Sequence, residues 1–204
     1  PLSTLKALYE KALIFDDVIG LSIGTRTDCV TDEILDFLYE KSKQKEIWIE
    51  YGIQSFFQTT LDKINRADDV ENMRYWIRRT KEKGLNVCGH LIYGLPDENQ
   101  EMMLETFKQT IDLKVDSIKF HPLYVVKNTL LTNEFKKGRF NPISEELYID
   151  TVVKSIINLP QNVSVQRVTA GIDDDTLLSP LWCKNKHQQM KKIRIALEEE
   201  GFIY

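Results

Sequence analysis

Four side chains with acid–base chemistry stand in short, strand-like runs of this sequence. Glu50, His90, Lys119 and His121 are each flanked in sequence by apolar residues or glycine. A carboxylate, two imidazoles and an ammonium group could transfer protons or bind a polar ligand if the fold brought them together. A histidine such as His90, taken alone, is more commonly a satisfied core residue than a ligand.

The runs that carry these side chains alternate with helical patterns along the whole chain. The strand-like runs are 18–23, 47–51, 86–93, 116–121 and 163–168. The helical patterns cover 3–15, 31–42, 58–82 (one helix or two), 99–113, 144–157 and 187–200. Asp97 and Gln100 have the spacing of a capping box, which predicts a helix start there. This alternation predicts an α/β protein with a parallel sheet, and no linker divides residues 1–204, so we expect a single domain.

Most of the strand-like runs alternate between apolar residues and polar or small ones. Glu50 opposes Ile49, Lys119 opposes Ile118, and Ser164 and Gln166 of the last run oppose its valines. Central strands of a doubly wound open sheet are instead continuously apolar. The alternation favours a barrel or part-barrel with helices on its apolar face and a polar ligand inside, at the carboxyl ends of the strands. A solid barrel core with a few paired polar side chains is the alternative.

Each strand-like run ends in residues that could contact a ligand. Gly24, Gly52 and Gly94 follow three successive runs, where a backbone could approach a ligand closely or simply turn. Arg26 and Arg167 could bind a carboxylate or phosphate by paired hydrogen bonds, or form salt bridges with neighbouring acids.

Composition limits the classes of function. The net charge of -4 argues against a protein that lives mainly on nucleic acid. No apolar run is long enough to cross a bilayer, so we expect no membrane association. Three widely spaced cysteines without a CxxC pair indicate reduced thiols in a cytoplasmic protein.

Two stretches together resemble radical S-adenosylmethionine enzymes. "IEYGIQSFFQTTLDKINRADD" (49–69) is similar to their fourth-strand segment, and "HLIYGLPDENQEMMLETF" (90–107) to their fifth. "LSIGTRTDCV" (21–30) resembles their third strand. Through "VQRVTAGIDDDTLLSPLWCKNK" (165–186) the whole chain is similar to the uncharacterised YhcC-type subfamily, and the motifs are shared with Elongator catalytic subunits and oxygen-independent coproporphyrinogen oxidases.

The resemblance implies a fold and a chemistry. The fold is an incomplete parallel (β/α) barrel, of which this chain would supply the later strands. Family members bind a 4Fe-4S cluster through CxxxCxxC and cleave S-adenosylmethionine reductively to a 5′-deoxyadenosyl radical. This sequence has no CxxxCxxC. We therefore expect residues 1–204 to be the C-terminal portion of such a barrel, with the missing strands upstream of Pro1. By itself the chain is expected to supply no metal ligand, to bind neither cofactor and to be inactive.

The resemblance also implies cofactor-binding residues. Gln54 and His90 match positions that contact the ribose of S-adenosylmethionine, and Gly94-Leu95 match the place where the adenine packs. His90 stands where coproporphyrinogen oxidase has an aspartate, and Ser22 falls near a third-strand carboxylate position of some relatives.

Partners follow from the same resemblance. The substrate is unknown, with transfer RNA as one candidate, and the electron donor would be a reductase or a flavodoxin-type protein. The strand at 18–23 would have an exposed edge and could pair with a second copy. Two other functions stay open: a lyase or aldolase-type barrel enzyme using Glu50, Lys119 and His121, and a non-catalytic binding module that has lost the cluster.

Overall fold

The computed structural model describes residues 2–202. The strands are β1 (Gly20–Thr25), β2 (Glu46–Gln54), β3 (Asn86–Tyr93), β4 (Ser117–Pro122), β5 (Val125–Val126), β6 (Ser164–Arg167) and β7 (Leu177–Ser179). The α-helices are α1 (Leu2–Leu13), α2 (Asp32–Ser42), α3 (Gln58–Lys63), α4 (Val70–Glu82), α5 (Gln100–Asp112), α6 (Leu130–Lys136), α7 (Glu145–Ile157) and α8 (Lys186–Glu199). The five predicted strands and the division of 58–82 into two helices are confirmed, whereas α6 and the short antiparallel pair β5–β7 were not predicted.

Five strands form one parallel sheet in the order β1-β2-β3-β4-β6. Successive strands of the sheet are therefore neighbours, as in a barrel wall. Within residues 2–202, β1 pairs only with β2, so its other side is an open edge. The predicted edge is confirmed, although the strand begins at Gly20 and leaves Ile19, ahead of it, 81% exposed.

The apolar side chains of the sheet pack against the helices. Ile49, Leu91 and Phe120 of β2, β3 and β4 are completely buried in the same core as Met73 of α4 and Phe107 of α5. The opposite side of the sheet, which we call the inner face, carries the polar residues that alternate with them. The alternation predicted from sequence is thus confirmed for these three strands.

The last strand departs from that pattern. The register between β4 and β6 shifts between Ile118 and Lys119, so Ile118 lies beside Val165 but Lys119 lies beside Arg167. One extra residue on β6 therefore moves Arg167 onto the inner face, beside Lys119. The sequence alone gave no indication that Arg167, and not Gln166, is the neighbour of Lys119.

Side-chain caps fix several helix starts next to the strand ends. The backbone N–H of Met102 donates to the Asn99 side chain (2.9 Å), so Asn99 caps α5. The expected capping box at Asp97 was wrong, because Asp97 has a positive φ of 66° and forms an ion pair with Lys63. A left-handed residue cannot serve as the extended N-cap of a helix.

A helix that spans a membrane requires a certain length and hydrophobicity. Across residues 2–202, each helix is too short or too polar to cross a bilayer.

Candidate functional site on the inner face of the sheet

Glu50 occupies the centre of a polar cluster on the inner face. Its carboxylate accepts hydrogen bonds from Ser22 of β1, from His90 Nε2 of β3 (2.7 Å) and from Lys119 Nζ of β4 (2.5 Å). The Glu50 and Lys119 side chains are only 11% and 13% exposed. Three of the four residues singled out at first are therefore in direct contact, although they lie up to 69 positions apart in sequence.

The surroundings of Glu50 favour its charged form. Burial by itself raises the pKa of this carboxyl, but hydrogen bonds from Lys119, Ser22 and His90 outweigh it and lower the pKa to about 2. Glu50 is thus an ion-paired carboxylate at neutral pH. A carboxylate in this state accepts hydrogen bonds and orients its partners, and it has no proton to donate.

The rings of His90 and His121 are stacked beside this carboxylate, with centroids 5.6 Å apart and planes inclined by 26°. Burial lowers the pKa of His90 despite its bond to Glu50. Burial, followed by the positive charge of Arg167, lowers the pKa of His121 to about 4. Both rings are therefore neutral at pH 7.

The hydrogen-bond partners determine which nitrogen of each ring carries the proton. Glu50 can only accept, so His90 Nε2 is the donor. Nδ1 is then an acceptor, and it has no hydrogen-bond partner within residues 2–202. Arg167 Nη1 can only donate to His121 Nε2 (3.2 Å), so the proton of His121 is on Nδ1. His90 thus offers an acceptor where the resemblance places a ribose hydroxyl.

Gln54 ends β2 beside this cluster. Gly52 is the register partner of His90, and Gln54 that of Leu91, across a register shift. Gln54 has a φ of 68°, which is costly for a residue with a side chain and is commonly found at functional positions. Within residues 2–202, its side-chain amide makes no hydrogen bond to another residue, so both ends of the amide are available.

Gly94 and Leu95 are enclosed from the helix side. Gly94 has a φ of 90°, and a Cβ built on it would lie 2.7 Å from the Ile143 side chain. Leu95 is 3% exposed. Packing against Ile143 is therefore a sufficient reason for glycine at 94. At Gly24, by contrast, an added Cβ would meet no atom within 4 Å, so the inner face is open there.

Arg66 is a further candidate ligand-binding residue, to which no role was assigned from the sequence. Its Nη2 donates to the Gly52 carbonyl (2.6 Å), and its Nε is buried without a hydrogen-bond partner among the described residues. A buried N–H of a guanidinium without an acceptor is costly, and an anionic ligand would satisfy it. The sequence feature that could have identified Arg66 is the Asn65-Arg66 pair near the end of the stretch 49–69. Arg26, in contrast, is paired with Asp28 through Nε and Oδ1 (2.8 Å), the salt-bridge alternative.

The cysteines do not form a cluster site in the described chain. Cys29 is exposed after β1, and Cys88 and Cys183 are buried in β3 and near β7. Burial raises the pKa of the Cys88 thiol to about 11 and that of Cys183 to about 12, which favours the protonated form. Within residues 2–202, no three Cys, His, Asp or Glu side chains are arranged to hold a metal ion. The described residues thus fit S-adenosylmethionine, through Arg66, Gln54 and His90, but not an iron-sulfur cluster.

Comparison with known proteins identifies the family of this chain. Residues 3–110 match the model of the Radical SAM superfamily, and residues 115–199 match the Radical_SAM C-terminal domain. Protein YhcC of Escherichia coli K12 is 38% identical over 198 residues, which are 97% of this chain and 64% of that protein. The tRNA uridine(34) acetyltransferase of Methanocaldococcus infernus is 26% identical in an alignment of 198 positions that covers 91% of this chain and 36% of that protein.

A solved structure shows the same fold. The archaeal Elp3 of Methanocaldococcus infernus superposes with a TM-score of 0.80 at 24% identity, over 91% of this chain and 43% of that one. The fold is therefore the later part of a parallel (β/α) barrel, as predicted. The chain belongs to the Radical SAM superfamily and is of the YhcC type. It spans between 62% and 64% of the length of three curated relatives, YhcC among them.

Proposed function

We propose that this chain forms the S-adenosylmethionine-binding wall of a radical S-adenosylmethionine enzyme. Gln54, which ends β2, and His90, which lies on the inner face of the neighbouring strand β3, carry the proposal. The Gln54 amide can donate and accept, and His90 Nδ1 can accept, so together they suit the two hydroxyls of a ribose. The superfamily match over residues 3–110 supplies the cofactor class.

Each of the other residues has a role that follows from its own contacts. Glu50 holds the His90 ring so that Nδ1 is the acceptor, and Ser22 helps to fix that carboxylate. Arg66 can bind the carboxylate of the methionyl part, because its Nε has no acceptor. The backbone at Gly94-Leu95 is proposed to contact the adenine.

The chemistry itself comes from the cofactors. When bound, S-adenosylmethionine and a reduced 4Fe-4S cluster supply radical chemistry by reductive cleavage, and a reductase or flavodoxin-type protein would deliver the electron. The chain's residues orient the nucleoside and exclude water from it. Transfer RNA is the macromolecular substrate to test first, because one relative is a tRNA-modifying enzyme by name.

The alternative of acid–base catalysis by Lys119 receives no support from the geometry. A lyase or aldolase lysine must lose its proton to attack a carbonyl. In this chain Lys119 Nζ is instead engaged in an ion pair with the Glu50 carboxylate at 2.5 Å.

The test is calorimetric binding of S-adenosylmethionine to the complete protein. Gln54→Ala and His90→Ala should each weaken binding by about 1–2 kcal/mol, the scale of one hydrogen bond inside a formed pocket. Exposed residues of the same types provide matched controls, and Gln44→Ala and His187→Ala should leave the affinity unchanged. Wild-type affinity in both Gln54→Ala and His90→Ala would place the cofactor elsewhere.

A further inference from the structure

Arg167 is a charged group of the inner face without an acidic partner. Its Nη1 donates to the neutral His121 ring at 3.2 Å. Across residues 2–202, it forms no salt bridge with any Asp or Glu side chain. Arg26, which follows β1 at the other edge of the sheet, is paired with Asp28. The side chain is half-buried, so water screens its charge incompletely.

The rest of the inner face does not neutralise this charge. Glu50 is the carboxylate of the cluster, and it already accepts from Ser22, His90 and Lys119. The charges of Glu50 and Lys119 cancel, and the two histidines are neutral at pH 7. One positive charge therefore remains, on Arg167.

The donors around Arg167 point to one ligand chemistry. A guanidinium has five N–H groups, and among residues 2–202 Arg167 forms one side-chain hydrogen bond, that to His121. His121 carries its own proton on Nδ1, because Arg167 occupies its Nε2. Lys119 is the register partner of Arg167, but its charge is already paired with Glu50, so Arg167 and His121 supply the donors for a ligand. A planar guanidinium with an adjacent N–H donor matches the oxygen spacing of a phosphate or carboxylate.

We propose that Arg167, together with His121, binds an oxyanion of the substrate, so that the substrate carries a phosphate or carboxylate group. The inference rests on the proposed function for the reaction and adds the substrate class. Within the sheet, the sites lie at different strands: the nucleoside at the ends of β2 and β3, and the oxyanion at β4 and β6. The substrate's anionic group would thus lie across the inner face from the open edge at β1.

The experiment titrates the full chain with inorganic phosphate and, separately, with acetate, and follows binding by NMR or calorimetry. Arg167→Gln should weaken binding of the preferred anion about 10-fold or more, the usual effect of losing a charge-assisted hydrogen bond. Arg167→Lys keeps the charge but not the planar guanidinium, so its affinity for the anion should lie between those of the wild type and Arg167→Gln. Arg78→Gln removes one exposed positive charge on α4 and should change nothing.

Several outcomes would overturn the inference. They are an absence of binding of either anion to the wild type, equal affinities of wild type and Arg167→Gln, and an equal loss in Arg78→Gln. Competition between phosphate and S-adenosylmethionine in the complete protein would assign Arg167 to the cofactor instead. Failure of the proposed function has a different signature, because loss of S-adenosylmethionine binding would leave the phosphate titration and its dependence on Arg167 intact.

Discussion

The ion pair between Glu50 and Lys119 should be a strong energetic coupling across the sheet. Glu50→Gln leaves a largely buried ammonium without its carboxylate, and Lys119→Met leaves a largely buried carboxylate with Ser22 and His90 alone. Each single substitution should therefore cost more stability in the wild type than it costs when the partner residue has already been replaced. A double-mutant cycle on the free energy of unfolding isolates this coupling.

The pKa of Glu50 gives the size of the effect. The difference between its ordinary value of 4.5 and about 2 corresponds to ~3.4 kcal/mol at ~1.36 kcal/mol per pKa unit. Three donors share this net stabilisation, and solvent at the open inner face screens part of it. We expect a coupling energy of about 1–2 kcal/mol for the Lys119 pair alone.

The depressed pKa of Glu50 also predicts how the stability of the chain depends on pH. The folded-state pKa of Glu50 is depressed, so its contribution is fully present above the unfolded-state value of 4.5 and is lost as the pH falls toward about 2. The stability difference between wild type and Glu50→Gln should therefore shrink across this window as the pH is lowered. An isolated surface carboxylate would show no such narrowing.

Urea denaturation of the wild type, both single variants and the double variant provides the measurement. The control is the pair Asp150–Lys154 on α7, which has a similar separation of 2.7 Å but side chains that are 50% and 48% exposed. Asp150→Asn and Lys154→Met should give a coupling of only about 0.3–0.5 kcal/mol. Equal couplings in the two cycles would refute the view that burial makes the Glu50 pair strong.

Two further predictions concern packing and assembly. Gly94→Ala should destabilise the chain by about 2–4 kcal/mol in thermal or urea unfolding, because the φ of 90° is strained for alanine and its Cβ would lie 2.7 Å from Ile143. Gly138→Ala shares the positive φ but has open space, so a cost of only about 1 kcal/mol is expected, and equal losses would contradict the packing explanation. The open edge of β1 should give concentration-dependent self-association in sedimentation, which Ile19→Lys should reduce because a lysine blunts an exposed edge. A chain that stays monomeric at high concentration would argue against pairing through this edge.

The local pattern of the sequence was sufficient to predict the sheet and its two faces. Period-two alternation in β2, β3 and β4 predicted that Glu50, His90 and Lys119 share one face, and the structure places them there in contact. The alternation of strands and helices likewise predicted that the sheet is parallel. These features are local, because a strand's alternation depends only on neighbouring residues in the chain.

The tertiary structure decided which side chains complete the site. Arg167 lies beside Lys119 because the register of β6 shifts against β4, and no residue of β6 alone reveals that shift. The bond of Arg66 to the Gly52 carbonyl joins a loop to a strand end, and the capping of α5 by Asn99 depends on the path of the chain through Asp97. Register, bulges and orphaned donors arise from pairing between segments far apart in sequence, so they are determined only when the strands and helices are packed together.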